Sequence, residues 1–143
     1  MKELLILVIM LAHGGAIENK TLTQENVWIE IINNDILYPE IVLKQTLLES
    51  GHYKSRICLS NNNITGMRHP RKRPTTSVGS RYGHAVYNSW QECIEDYKLW
   101  QVHYSDEIKN CRGESGYYSF LNKYYSVNQN YIYILQRVKT LLD

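Results

Sequence analysis

Apolar positions recur at helical spacing along most of this chain, and one long polar stretch interrupts them. Val27, Ile31 and Ile32 share one side of a segment from Thr23 to Asn33, which predicts a helix broken by Asn33-Asn34-Asp35. Pro39 suits the first turn of a second helix, where its missing N–H costs nothing. In that helix Ile41, Val42, Gln45, Leu48 and Glu49 form one stripe, and Gly51 supplies the stop. Glu49 therefore projects on the apolar side and is expected to be part-buried. Ser89-Trp90-Gln91-Glu92 reads as a capping box. It opens a helix to about His103, with Trp90, Cys93, Ile94, Tyr97, Trp100 and Tyr104 at helical spacing. A broken helical region is predicted from Ser105 to Tyr125, interrupted at Gly113-Glu114-Ser115-Gly116. Asn128 is a candidate cap for a last helix whose stripe is Tyr131, Ile134, Leu135, Val138, Leu141 and Leu142.

Between the second helix and Ser89 the pattern changes. Leu59 to Asn63 reads as a polar turn. Arg68 to Gly83 is rich in Arg, Pro, Gly, Ser and Thr and holds too few apolar residues for a core helix, so a loop or a short two-stranded hairpin is expected. The architecture is thus mainly α, with one irregular or hairpin insert. At the start of the chain an apolar run from Leu4 to Ala12 is too short to span a bilayer. With the small residues after it, it reads as a signal peptide over residues 1–16, leaving 17–143 as one domain and an exported protein, periplasmic or secreted.

The chain has 143 residues, enough for one domain with a sizeable core. A net charge of +2 is too small to imply a nucleic-acid partner. Tyr outnumbers Phe by 12 to 1, which suits a groove holding sugars and equally a wet helix interface. Cys58, Cys93 and Cys111 fit no zinc spacing, so no metal, no cofactor and no essential disulfide are expected, although a Cys93–Cys111 bridge is possible. Arg68, His69, Arg71, Lys72 and Arg73 form a basic cluster that reads as a solvated loop or as a contact for anionic groups. Tyr82, Trp90 and Trp100 are candidate stacking surfaces for a ligand, but the two tryptophans lie on the core stripe.

Glu49 carries the clearest chemistry. A carboxylate in the last turn of a helix faces the negative end of the macrodipole, which disfavours its charge. A raised pKa is what a general acid needs at neutral pH.

Four blocks in order resemble the glucosaminidase family of peptidoglycan hydrolases, the lysozyme-like family of flagellar and cell-separation autolysins. They are Gln45-Thr46-Leu47-Leu48-Glu49-Ser50-Gly51, Asn62-Asn63-Ile64-Thr65-Gly66-Met67-Arg68, Ala85 to Glu92 with Asp96-Tyr97, and Tyr125 to Tyr131. The Arg-Lys-Arg-Pro insert looks most like versions found in Bacteroidetes. The resemblance implies a lysozyme-like (α+β) fold with a groove between a helical lobe and a small hairpin lobe. It implies a glycoside hydrolase, an endo-β-N-acetylglucosaminidase acting as a monomer on peptidoglycan glycan strands, with no stable membrane insertion once processed. Glu49 matches the family's general acid and Tyr125 its active-site tyrosine. His84 and Tyr87 flank the loop's return and are expected to line the groove with Arg68. Asn63, Gly66 and Tyr131 are further substrate-binding positions in the matching blocks.

The chain also departs from that pattern. Many members carry a second carboxylate in the hairpin lobe, but no Asp or Glu lies between Gly66 and Tyr87. An inverting mechanism needs a base on the far face of the sugar. Glu92 serves as a capping residue, and Glu114 is a remote candidate. Substrate assistance by the 2-acetamido group fits the missing carboxylate better. A muramidase or lytic transglycosylase, which works with one glutamate, and a catalytically silent wall-binding or partner-binding module are the alternatives.

Overall fold

In a computed structural model, residues 20–143 are described, and the expected signal peptide lies outside them. Helix α1 (Gln24–Asn33) is capped by Thr23, whose hydroxyl accepts from the Asn26 N–H at 3.2 Å. Helix α2 (Pro39–Glu49) follows, with Pro39 in its first turn. Ile41, Val42, Leu43, Gln45, Thr46 and Leu47 are all buried, so α2 is enclosed well beyond the predicted stripe. The reason is that α1 and the last helix, α7 (Tyr131–Gln136), both pack against it. Leu48 and Glu49 are only half-buried.

The expected polar turn at Leu59–Asn63 is corrected: its first half belongs to a short helix, α3 (Arg56–Asn61). Ser55 caps it by accepting from the Cys58 N–H at 3.1 Å, and only Cys58 and Asn61 are buried. The polar stretch then ends in a hairpin of β1 (Gly79–Arg81) and β2 (His84–Val86), antiparallel with Ser80 opposite Ala85. Tyr82 and Gly83 turn it with φ of 54° and 74°. Two successive positive values match a type I′ turn, which suits the twist of a hairpin.

Helix α4 (Trp90–His103) begins at Ser89, whose hydroxyl accepts from the Glu92 N–H at 3.2 Å. The Glu92 carboxylate reaches back to the Asn88 N–H at 3.0 Å, so it is occupied in capping. Helices α5 (Ser105–Lys109) and α6 (Gly113–Tyr124) follow. The chain breaks at Asn110–Arg112, and the predicted interruption at Gly113–Gly116 is instead the first turn of α6. Glu114 is exposed there. Helix α7 stops at Gln136, shorter than the apolar stripe suggested. Tyr131 and Leu135 are buried, whereas Ile134, Leu141 and Leu142 are exposed. Asn128 shapes the turn before α7 rather than capping it directly: its side chain accepts from the Asn130 N–H at 2.9 Å.

The cysteines are all free thiols. Cys93 lies in the core beside the Thr65 hydroxyl at 3.3 Å, and Cys111 sits on the α5–α6 junction, so the possible bridge is not formed. Among the described residues no helix is long and apolar enough to cross a membrane.

One buried carboxylate fastens the polar insert to the helices. Asp96 of α4, fully buried, accepts from Arg73 at 2.7 and 3.2 Å, from the Thr75 hydroxyl at 2.7 Å and from the Tyr87 hydroxyl at 2.6 Å. The Arg73 side chain is only 7% exposed. Removing one partner of such a pair strands the other in a dry site. Asp96→Ala is therefore expected to cost about 3–5 kcal/mol of stability in urea unfolding. Leu59→Ala, at an exposed position on α3, should stay within about 0.5 kcal/mol of wild type.

Candidate active site

Glu49 closes α2 where the chain turns sharply through Gly51. The α2 stripe carries its side chain toward the body of the protein, and its carboxyl is pushed above the usual range. Burial is the largest cause. A hydrogen bond from the Tyr131 hydroxyl and the nearby His84 work in the opposite direction. Among the described residues these are the groups that shift it, and no second carboxylate is among them.

The wall facing Glu49 is built by consecutive asparagines. Asn61 donates to the Arg81 carbonyl at 2.9 Å, and Asn62 donates to the Tyr87 carbonyl at 3.0 Å. Asn63 donates to the carbonyls of Met67 and Ala85 at 2.9 and 3.0 Å and accepts from the Gly66 N–H at 2.8 Å. Together they draw residues 64–67 into a tight turn under the hairpin. Gly66, at φ +74°, lies at the closest point of that turn. A Cβ there would stand 2.8 Å from Glu49 Oε2.

The expected site residues divide into two groups. Glu49, Gly66, Tyr125 and Tyr131 come together, and His84 is close enough to act on Glu49 electrostatically. Tyr131 is the tyrosine whose hydroxyl meets Glu49. Tyr125 spends its proton on the Thr65 carbonyl, so it straps the Gly66 turn to the segment after α6. Asn63 and Tyr87 are corrected as substrate-facing positions. Both are buried, and their polar atoms are engaged inside the protein, Tyr87 on Asp96. Tyr82 is exposed and is covered on one face by the Arg56 guanidinium, 4.2 Å from the ring centre. Arg73 leaves the basic cluster for Asp96, while Arg68, His69, Arg71 and Lys72 remain exposed.

A cavity of about 290 Å³ adjoins Gly66. Met67, Arg68, Trp100, Tyr124 and Tyr125 are among its lining residues. Glu49 is not in that lining, but Gly66 borders both the cavity and the Glu49 carboxyl. Trp100 presents an edge to the Tyr125 ring, with centroids 5.3 Å apart, so both rings are held in place. Aromatic rings beside one exposed guanidinium suit a sugar ring with polar substituents. Among the described residues no cluster of His, Cys, Asp and Glu could hold a metal ion.

Sequence reasoning missed the groups behind Glu49. Gln45, Tyr97, Tyr117 and Gln101 are buried and hydrogen-bonded to one another or to Tyr131. One signal was legible: Gln45 is a polar residue in an otherwise apolar stripe, and such a residue must find partners when buried.

The arrangement has counterparts among known proteins. Residues 26–141 match the glucosaminidase family model, described as mannosyl-glycoprotein endo-beta-N-acetylglucosaminidase. No curated protein matches the chain. Among solved structures, it is similar to a chain in a type VI secretion system effector–immunity complex from Pseudomonas protegens. The TM-score is 0.61 at 18% identity, covering 79% of this chain and 81% of that one. It is also similar to the catalytic domain of the autolysin Auto from Listeria monocytogenes. There the TM-score is 0.58 at 18% identity, covering 90% of this chain and 88% of the other. At that identity the likeness speaks for the lysozyme-like fold, while the family match spans nearly all the described residues. The chain belongs to the glucosaminidase family of glycoside hydrolases.

Proposed function

We propose that this protein hydrolyses the β-1,4 bond after N-acetylglucosamine in peptidoglycan, with Glu49 as the general acid. The observation that carries the reading is a half-buried carboxyl, raised in pKa by burial and held by Tyr131 against the Gly66 turn. Such a group holds a proton at a pH where an exposed carboxyl has lost it, and it can deliver that proton to the leaving oxygen. With no carboxylate on the hairpin side to activate water, the 2-acetamido group of the substrate supplies the nucleophile. Tyr125 and Tyr131 border the acid, and His84, Arg68 and the Trp100–Tyr125 wall would meet the sugar. The apolar run at Leu4–Ala12 would serve export to the cell envelope, where the substrate is found.

Mass spectrometry of muropeptides released from purified sacculi tests the bond. N-acetylglucosamine reducing ends support the reading. N-acetylmuramic acid reducing ends or anhydro ends would assign the chain to muramidase or transglycosylase chemistry instead. Proton NMR of the first product formed tests the mechanism: retained anomeric configuration is expected, and inversion would sink substrate assistance.

The exposed cations beside the groove would face acidic stem peptides and anionic polymers. Replacing Arg68, Arg71 and Lys72 together by Gln is expected to weaken sacculus binding several-fold at low salt. The difference should fade toward 1 M salt, where charges are screened within about 3 Å. A sedimentation assay across a salt series reads this, and equal binding at low salt would remove the cluster from the interface.

A further inference from the structure

A line of buried hydrogen bonds runs through the core from the main chain at Leu37 to Tyr131, whose hydroxyl neighbours Glu49, and its polarity can be assigned link by link. Gln101 grips Leu37 at both ends. Its Oε1 accepts from the Leu37 N–H at 2.9 Å, and its Nε2 donates to the Leu37 carbonyl at 2.9 Å. That pairing fixes the amide in one orientation. The same Nε2 donates to the Tyr117 hydroxyl at 2.9 Å. Tyr97 lies 2.8 Å from Tyr117 and donates its own proton to Gln45 Oε1 at 2.5 Å, so the proton between the two tyrosines belongs to Tyr117. Gln45 therefore turns its Nε2 to the Tyr131 oxygen at 3.1 Å, and the Tyr131 proton is left for Glu49. From Tyr117 onward every donor points toward the carboxyl.

The chain is sealed. Gln45, Tyr97 and Tyr117 are fully buried and Gln101 is 2% exposed, so bulk water offers no alternative partners. An amide has two nearly isosteric orientations, and only its neighbours choose between them. Turned over, Gln45 would offer its oxygen to Tyr131 and take the proton that now serves Glu49. We propose that Tyr117, Tyr97 and Gln45 are positioning residues that aim the Tyr131 hydroxyl at Glu49, with the orientation of one buried amide set by the main chain at Leu37.

The catalytic consequence rests on Glu49 being the general acid. A donor aimed at a carboxylate favours its charged form and so opposes burial. Losing that aim lets burial act more fully, and the carboxyl holds its proton to higher pH. The other groups facing Glu49 are His84 from β2 and Tyr125 from the segment after α6, and neither belongs to the chain.

The test is a carbon-13 NMR titration of the Glu49 carboxyl, assigned with Glu49→Gln, in wild type, Tyr97→Phe and Tyr117→Phe. Each is repeated in a His84→Asn background so that its charge drops out. Tyr97→Phe is expected to raise the titration midpoint by about half a pH unit to one unit, the scale of losing part of a hydrogen bond to a charged group. Tyr117→Phe should raise it by less, in the same direction. Tyr53→Phe, at a tyrosine that instead pairs with Thr46 at 2.9 Å, should leave it unmoved. The alkaline limb of kcat/KM should move with the midpoint, with KM unchanged. A midpoint equal to wild type in folded Tyr97→Phe overturns the proposal. Should that variant not fold, an unmoved Tyr117→Phe overturns it equally. The titration reads the chain without activity. A shift in an enzyme that Glu49→Gln leaves fully active would sink the general-acid reading and spare this one.

Discussion

Glu49→Gln is expected to lower glycan hydrolysis by about 10²- to 10⁴-fold, the usual contribution of a positioned general acid. Gln keeps the size of the side chain and an oxygen that accepts from Tyr131, but it has no proton to give a leaving alkoxide. The loss should therefore appear in kcat, with KM little changed. Stability should move the other way. The folded-state pKa of Glu49 lies above its unfolded value, so between the two the folded protein binds more protons. The carboxyl then favours folding below the unfolded pKa, and that contribution is lost as pH rises through the folded one. At pH 7 the glutamine variant should accordingly unfold at the same temperature as wild type or slightly higher. Calorimetry at pH 4.5 and pH 7 reads this, with wild type losing ground to the variant as pH rises. An inactive variant that also unfolds easily would mean that Glu49 serves the fold.

Gly66→Ala is expected to be nearly as damaging. Its new methyl would stand 2.8 Å from Glu49 Oε2 and 3.4 Å from the Glu49 Cβ and Cδ. The turn cannot easily retreat, because Asn63 and the Tyr125 hydroxyl both hold it. The carboxyl must therefore move, and a displacement near 1 Å at a reacting group can cost about 10²-fold in rate. The backbone adds a separate cost. At φ +74° an alanine loses roughly 1–2 kcal/mol. Gly83 separates the two effects, since it has the same φ of +74° with nothing within 4 Å of a Cβ. Gly83→Ala should lose similar stability in denaturant and keep its activity. If the two variants prove equally active, the contact at Glu49 does not matter to the chemistry.

Local chemistry made part of this fold legible. Thr23 and Ser89 mark the starts of α1 and α4 because their hydroxyls accept the helices' spare N–H groups, and Pro39 marks that of α2. Glu49 could be placed on the buried side from helical spacing alone. Helix α3 escaped notice because it buries little and so leaves almost no periodic trace; the Ser55 cap was its one readable sign. Helix α7 ends well before its apolar stripe does, since Leu141 and Leu142 continue the spacing beyond Gln136. Instead the Leu141 N–H is held by Gln24, far away in sequence. The groups that aim and brace the site were harder still. Tyr97 reaches Gln45 across 52 residues and Arg73 reaches Asp96 across 23, and no local pattern encodes such pairings. In sequence Tyr125 and Tyr131 look alike as partners for the acid. Only the tertiary placement gives Thr65 to one and Glu49 to the other.

The measurement that bears most directly on the account is a paired digestion of one sacculus preparation by wild type and Glu49→Gln at neutral pH, with new glycan ends identified by mass spectrometry. The account predicts N-acetylglucosamine reducing ends from wild type and almost none from a folded Glu49→Gln. Equal release by the two proteins, or no release by folded wild type, would contradict it.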